Sequence, residues 1–246
     1  MLSKQTGLFR QVGVIANNVA NVNTTGFKSD NLVYEKFPVK LNTPDHQPKA
    51  VDYANDIGTY ISAKEGQFQE TDNPLDVAVH GPGYFIVQSP LGVRYTRAGD
   101  FTLDGNGQLV NAQSYPVLDP NGQPIVFQPG DKDILIQSDG TITAKQDGST
   151  AASARGQIGV ALFPNTQLLQ KLPNSLFAGP AGGGSAQQPP AGSFQIAQGM
   201  IERSNVDSVT ELSHLIEANR YSGYLSTAIN STHTLELKAL DTLNKQ

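Results

Sequence analysis

The chain has 246 residues, a net charge of -5 and only 16% charged side chains, which leaves room for one or two domains with a sizeable core. It contains no basic run, so nucleic-acid binding lacks its electrostatic footing, and no cysteine, so disulfides, thiolate metal sites and cysteine nucleophiles are excluded. No stretch of about 18 apolar residues exists to span a membrane, and 24 glycines with 15 prolines point to a turn-rich β region.

Residues 1–25 read as a helix. Leu8, Val12, Ile15, Val19 and Val22 follow a 4-3-4-3 spacing, a coiled-coil-like seam. Arg10, Asn17, Asn18, Asn21 and Asn23 make this stretch too polar for a cleavable signal peptide. Gly26 stands where a helix stop is expected. As a left-handed C′ residue it would set Phe27 against Val22. Asn17 and Asn21 lie one turn apart, and two readings stand: solvent exposure, or a polar register device between packed helices.

From 29 to 56 the pattern weakens to an extended connector, with a short strand around Leu32–Tyr34 and Phe37 and prolines at 44 and 48. Residues 57–203 read as a β domain. Leu75, Val77 and Val79 alternate, and further strands are expected at 84–88, 93–96, 101–103, 108–110, 134–136, 141–143 and 158–163. The separators Asp104-Gly-Asn-Gly107, Asp119-Pro-Asn-Gly122 and Ser138-Asp-Gly140 mark tight hairpins. Short strands with regular turns predict an antiparallel barrel or sandwich. The glycine- and proline-rich tract 179–192 reads as a flexible surface loop, or a partner-binding one.

Residues 204–246 form a second, long helix. Val209, Leu212, Ile216, Leu225, Ala228, Leu235 and Ala239 return at three- and four-residue steps and their multiples, Ser208 with Glu211 fits a capping box, and Asp207 is a second cap candidate. Nothing after Gly223 stops the helix, so it spans roughly 55 Å at 1.5 Å per residue and overhangs any small domain. Its stripe and that of the first helix must bury against each other or against other copies. The class expected is α+β: helices at both ends (1–28 plus 204–246) and an antiparallel β-rich middle.

No catalytic, cofactor-binding or metal-ligating set stands out. His46, His80, His214 and His233 show no metal-ligand spacing. Gly81-Pro-Gly83 lacks the third glycine and the following helix of a dinucleotide loop, so Gly81 and Gly83 read as turn residues. Asp104, Asn106 and Gly107 read as a hairpin turn, since their spacing does not fit a calcium loop. An enzyme would have to be built from carboxylates such as Asp72, Asp76 and Asp100.

Ala16-Asn-Asn-Val-Ala-Asn-Val-Asn-Thr-Thr-Gly-Phe-Lys28 closely resembles the N-terminal signature of flagellar basal-body rod and hook proteins. Asn73-Pro-Leu-Asp-Val-Ala-Val-His-Gly-Pro-Gly-Tyr-Phe-Ile-Val87 and Tyr95-Thr-Arg-Ala-Gly-Asp-Phe101 resemble that family's central β motif, and Ala197-Gln-Gly-Met-Ile-Glu-Arg-Ser-Asn-Val206 the approach to its C-terminal helix. The resemblance implies terminal helices paired as a coiled coil, helical stacking into an axial tube, a β domain projecting outward, and torque transmission from motor to hook. The implied location is the periplasmic rod. The implied partners are copies of itself, other rod proteins of the flagellar axis and the flagellar type III export apparatus, which takes no cleaved signal. Length and the segment 31–73 are most similar to proximal-rod members, with distal-rod members next. Two departures stand out: relatives carry another turn or two of helix ahead of Leu2, and Arg203 stands where small or apolar residues are common.

On this reading the assembly interface comprises Val12, Ile15, Asn17, Asn18, Val19, Asn21, Asn23, Leu212, Ile216 and Leu225, with Gly26, Gly81 and Gly83 as structural turns. A secreted β-rich cell-wall-binding module is the alternative from another class. It would need an exposed aromatic row, and aromatics are only 7% with no tryptophan.

Overall fold

The computed structural model describes residues 2–41, 49–148, 151–180, 186–187, 189–190 and 192–243. The chain divides into two compact units, Met1–Ala20 with Asp30–Tyr60 and Val206–Gln246, and Asn21–Ser29 with Ile61–Asn205. The class is α+β, with the helices at the two ends and strands between them.

Unit 1 contains α1 (Leu2–Ala20), the ribbon of β1 (Asp30–Leu41) paired with β2 (Lys49–Ile61, whose last residue belongs to unit 2), and, at the C-terminal end, a 36-residue helix, Ser208–Leu243. The connector expected at 29–56 is therefore a strand pair on either side of residues 42–48, which lie outside the described residues. Its strands carry Pro38 and scattered polar residues, which is why no clean alternation is legible. α1 ends at Ala20, sooner than expected. Two turns follow, in which Thr24 N donates to Asn21 O (3.1 Å) and Phe27 N to Thr24 O (3.3 Å). The second helix is capped by Asp207, whose carboxylate accepts from Val209 N (3.1 Å) and Thr210 Oγ1 (2.7 Å). Those bonds, the Thr210 hydroxyl first, hold the Asp207 carboxyl below its ordinary value. Leu8 and Ile15 of α1 bury against Ala218, flanked by Val12, Val19 and Leu215.

Unit 2 holds β3 (Phe68–Glu70), β4 (Val77–His80), β5 (Tyr84–Ser89), β6 (Gly92–Thr96), β7 (Thr102–Leu103), β8 (Leu109–Val110), β9 (Asp131–Ile136), β10 (Thr141–Gln146), β11 (Ala152–Gln157), β12 (Val160–Ala161), β13 (Gln170–Leu172), β14 (Leu176–Ala178), β15 (Gln195–Gln198) and β16 (Met200–Glu202). The second helix is α2. A five-stranded antiparallel sheet runs β12-β5-β6-β14-β13 and a three-stranded one β11-β10-β9, with the pairs β15-β4, β16-β3 and β7-β8 beside them. Among the described residues the strands close no barrel, so the barrel expectation is corrected. Many strands are only two to four residues long, and β4, β5, β8, β9, β10, β12, β14 and β15 contribute side chains to a shared core. Phe85, Val87, Phe101, Leu109 and Ile142 lie at its centre, all inaccessible to solvent. β4 departs from simple alternation: Val77, Ala78 and Val79 are all buried. Of the tract 179–192, residues 181–185, 188 and 191 lie outside the described residues.

Three successive turns between β7 and β9 repeat one construction. Asp104 Oδ1 accepts from Asn106 N and Gln108 N (both 2.8 Å), and Asn111 Oδ1 from Gln113 N (3.1 Å) and Tyr115 N (2.9 Å). Asp119 Oδ1 accepts from Asn121 N (2.8 Å) and Gln123 N (2.7 Å). The short polar side chain replaces backbone partners that a tight turn cannot supply. Gly107 N and Gly122 N close the first and third turns on Asp104 O and Asp119 O (3.0 Å each). The reading of Asp104, Asn106 and Gly107 as a turn holds.

Candidate functional site

In unit 1 the interface residues named from the sequence separate into two sets. Ile15 is buried, and Val12 and Val19 are half-buried, in the seam with Leu215 and Ala218. Leu212 and Ile216 are not in that seam: they are 46% and 55% exposed, and Val209 is 71% exposed. At about 100° per residue, Val209, Leu212 and Ile216 share one face of α2, about a third of a turn from Leu215 and Ala218. Tyr224, Leu235 and Leu237 are also exposed further along the helix, but not on that one face: at about 100° per residue Leu235 and Leu237 stand about 160° apart. Leu225 lies within α2, and its side chain is outside the described residues. Val209, Leu212 and Ile216 thus form an exposed apolar stripe on a face of α2 adjacent to its packed seam.

The asparagines also differ from one another. Asn18 is the buried one. Its Nδ2 donates to Asp30 O (2.9 Å) and Glu211 Oε1 (3.0 Å), and its Oδ1 accepts from Asp30 N (3.0 Å). One side chain thus fastens α1 to the start of β1 and to the first turn of α2, and it takes the Glu211 carboxylate that the capping box would have used. Asn17 is exposed and Asn21 half-buried, its Oδ1 accepting from Thr24 Oγ1 (3.2 Å). Asn23 is exposed, and its Oδ1 accepts from Arg203 Nη2 (2.8 Å), which gives the unusual Arg203 a role.

Unit 2 contains a feature that sequence reasoning missed, a buried ionic junction of Lys28, Arg97 and Glu202. Their side chains are 1%, 5% and 0% exposed. Glu202 Oε1 accepts from Lys28 Nζ (2.6 Å) and Gly66 N (2.8 Å), and Oε2 from Arg97 Nη1 (3.2 Å). Lys28 Nζ also donates to Lys64 O (2.7 Å), and Arg97 to Val79 O (3.0 Å) and Gly81 O (2.8 Å). Burial pushes the Lys28 ammonium below its ordinary value, and the Glu202 carboxylate opposes that shift. Taking three charges out of water is repaid only by such dense pairing, and Arg97 Nε is still left without a partner. Gly26 has φ +64°, and a Cβ there would collide with the backbone of Arg97 and Ala98. Its N–H donates to Glu202 O (2.7 Å), so it serves this close approach and not a helix end. Gly81 turns at φ +91°, and a Cβ on Gly83 would sit 2.7 Å from Val160 Cγ1. The only sequence signal for the junction was that its three charges fall one in each of the three family-like stretches.

The residues weighed for chemistry do not assemble. The His80 ring lies against Phe68, with centroids 3.9 Å apart, and His214 is exposed. His46 and the His233 side chain are outside the described residues. Asp76 faces Asp100 across an isolated bridge and accepts from Asn73 Nδ2 (2.9 Å), while Asp72 is exposed. Burial, with the Asp76 charge beside it, pushes the Asp100 carboxyl up. A surface groove of 560 Å³ beside β11 has Asp119 as its one carboxylate, and that side chain is committed to its own turn. Among the described residues, the exposed aromatics Phe9, Tyr60, Tyr221 and Tyr224 all belong to unit 1. Among the described residues, unit 2 thus shows no exposed aromatic row of the kind a sugar-binding module needs.

Three family descriptions match the chain: "Flagella basal body rod protein" over residues 8–28, "Flagellar hook protein FlgE/F/G D1 domain" over 78–144, and "Flagellar basal body rod FlgEFG protein C-terminal" over 197–221. Similar proteins include the flagellar basal-body rod protein FlgF of Caulobacter vibrioides, 33% identical over 99% of this chain and 96% of that one. FlgF of Mesorhizobium japonicum is 32% identical over 100% and 96%. The rod protein FlgG of Buchnera aphidicola subsp. Schizaphis graminum is 32% identical over 93% of each chain.

Proposed function

The chain belongs to the flagellar basal-body rod protein family, and from that premise we propose that it is a proximal-rod subunit of the FlgF type, assembled through its helices. In this reading α1 and α2 pair as a coiled coil, and the free face of α2 packs on neighbouring subunits of the axis. Val12, Ile15 and Val19 hold the pair together within the subunit. Leu212, Ile216 and Leu225 meet neighbours, and the polar Asn17, Asn18, Asn21 and Asn23 set register and contacts. A continuous lattice of packed helices is stiff, which suits torque transmission from motor to hook. The subunit occupies the periplasmic rod and reaches it through the flagellar type III export apparatus.

The observation carrying this reading is the exposed stripe of Val209, Leu212 and Ile216 on a helix that already has a packed seam elsewhere. Burying one such side chain contributes about 1.5–3 kcal/mol, so a repeated stripe supplies a stable lattice contact. Ile216→Asp places a charge in that contact without disturbing the seam. The variant is expected to be absent from isolated basal bodies while unit 2 stays folded, and normal swimming by cells carrying it would sink the proposal. The distal-rod assignment remains the second reading, favoured by the FlgG relative at 32% identity. Complementation of strains lacking one or the other gene separates the two.

A further inference from the structure

Residues 26–29 and 202–205 lie side by side in unit 2 and run in the same direction. Gly26 N donates to Glu202 O (2.7 Å), Asn205 N to Phe27 O (3.3 Å) and Ser29 N to Asn205 Oδ1 (2.7 Å). The Lys28–Glu202 ion pair adds a charge-assisted link between the same segments. A third segment underlies both: Ser62 N donates to Ser29 O (2.8 Å), Asn205 Nδ2 to Lys64 O (2.9 Å) and Gly66 N to Glu202 Oε1 (2.8 Å). Arg97 ties Glu202 to the β4 carbonyl of Val79 and so to the core.

The connectivity gives this arrangement a mechanical meaning. α1 joins the first segment at its N-terminal end, and α2 leaves the second at its C-terminal end. Tension between the helices therefore pulls the parallel segments in opposite directions, along their length. Bonds lying across such a pull are loaded together, whereas an antiparallel hairpin drawn from its open end yields bond by bond. We propose that these segments form a shear clamp, locked by the Lys28–Glu202–Arg97 junction, through which force applied at the helices is held off the β core. Only the source of that force rests on the rod reading; the clamp is a property of the isolated chain.

The test is optical-tweezers pulling of the purified full chain. It contains no cysteine, so thiols added at its two ends are unique handles. A second geometry uses Gly105→Cys with Ser138→Cys, both on exposed turns. The expected result is a higher opening force for unit 2 when the ends are pulled. Glu202→Gln should cut that force to about half, because a buried charge pair loses its common partner, while the force in the second geometry changes far less. Val87→Ala, which weakens the core, should lower both forces alike. If Glu202→Gln does not fold, Asn205→Ala replaces it, with a smaller drop expected again for end-pulling alone. Equal losses in both geometries, or none in either, overturn the clamp. A chain that passes this test but fails to enter the rod would count against the rod reading and leave the clamp standing.

Discussion

Unit 2 and unit 1 answer the same requirement, the burial of apolar surface, in opposite ways. In unit 2 Phe85, Phe101, Leu109 and Phe177 are wholly enclosed, and even the buried carboxylate of Glu202 finds two cations and a backbone N–H. In unit 1 the buried apolar side chains among the described residues are Leu8, Ile15 and Ala218, while larger apolar side chains on α2 are exposed. Helices of this kind owe most of their stability to tertiary packing. One unit encloses its apolar surface within the chain, and the other leaves Val209, Leu212 and Ile216 of α2 exposed.

The largest expected effect breaks the enclosed unit. Phe85→Ala should lower stability by about 3–5 kcal/mol, because a well-packed core refills a cavity only partly. A urea titration checks this, and helicity lost in the same step would show that the units do not unfold independently. Ile15→Ala should cost about 2–4 kcal/mol of the stability of unit 1. Hydrogen exchange should place the loss in α1 and the first half of α2, leaving the β strands protected. A smaller effect concerns acid. The Arg155 guanidinium holds the Asp131 carboxyl below its ordinary 3.8 through bonds of 2.5 and 2.6 Å. A lowered carboxyl value means that its contribution is complete above pH 3.8 and is lost as pH falls through the lowered value. Asp131→Asn should therefore reduce stability at pH 7 and flatten this part of the acid-unfolding curve of unit 2. The smallest effect sharpens the contrast: Ile216→Asp should change the thermal midpoint of the monomer very little, within about 0.5 kcal/mol, since the site is exposed. A large loss would mean that the stripe already has a partner inside the subunit.

What could be read from the sequence followed local chemistry. The Asn-Gly and Asp-Gly turns, the strand at 84–88, the long C-terminal helix and the α1 seam from Leu8 to Val19 all depend on neighbours a few residues apart, and each appears in the structure; Val22, expected to extend the seam, lies in a turn beyond the end of α1. Long-range polar pairing was not legible. Lys28 and Glu202 are separated by 174 positions and Arg97 and Glu202 by 105, so no periodicity could reveal them. Asn18 was one of four similar asparagines, and only the positions of Asp30 and Glu211 single it out. The α2 stripe was correctly seen as apolar, but its spacing could not say which of two adjacent faces would meet α1. Small residues decided that: Ala218 lets the helices approach, and its short side chain gives little hydrophobic signal.

The repeated turns at Asp104 and Asp119 bear on chemical ageing. Each contains an Asn-Gly step, Asn106-Gly107 and Asn121-Gly122, the sequence most prone to deamidation. That reaction begins when the glycine nitrogen attacks the asparagine side-chain carbonyl and closes a succinimide ring. Here both nitrogens are engaged as donors, to Asp104 O and Asp119 O, and the turns hold their asparagine backbones through Asp104 and Asp119 Oδ1. Folding therefore protects two sites that an unfolded chain would expose, and the protein keeps its turn chemistry for as long as these turns stay closed.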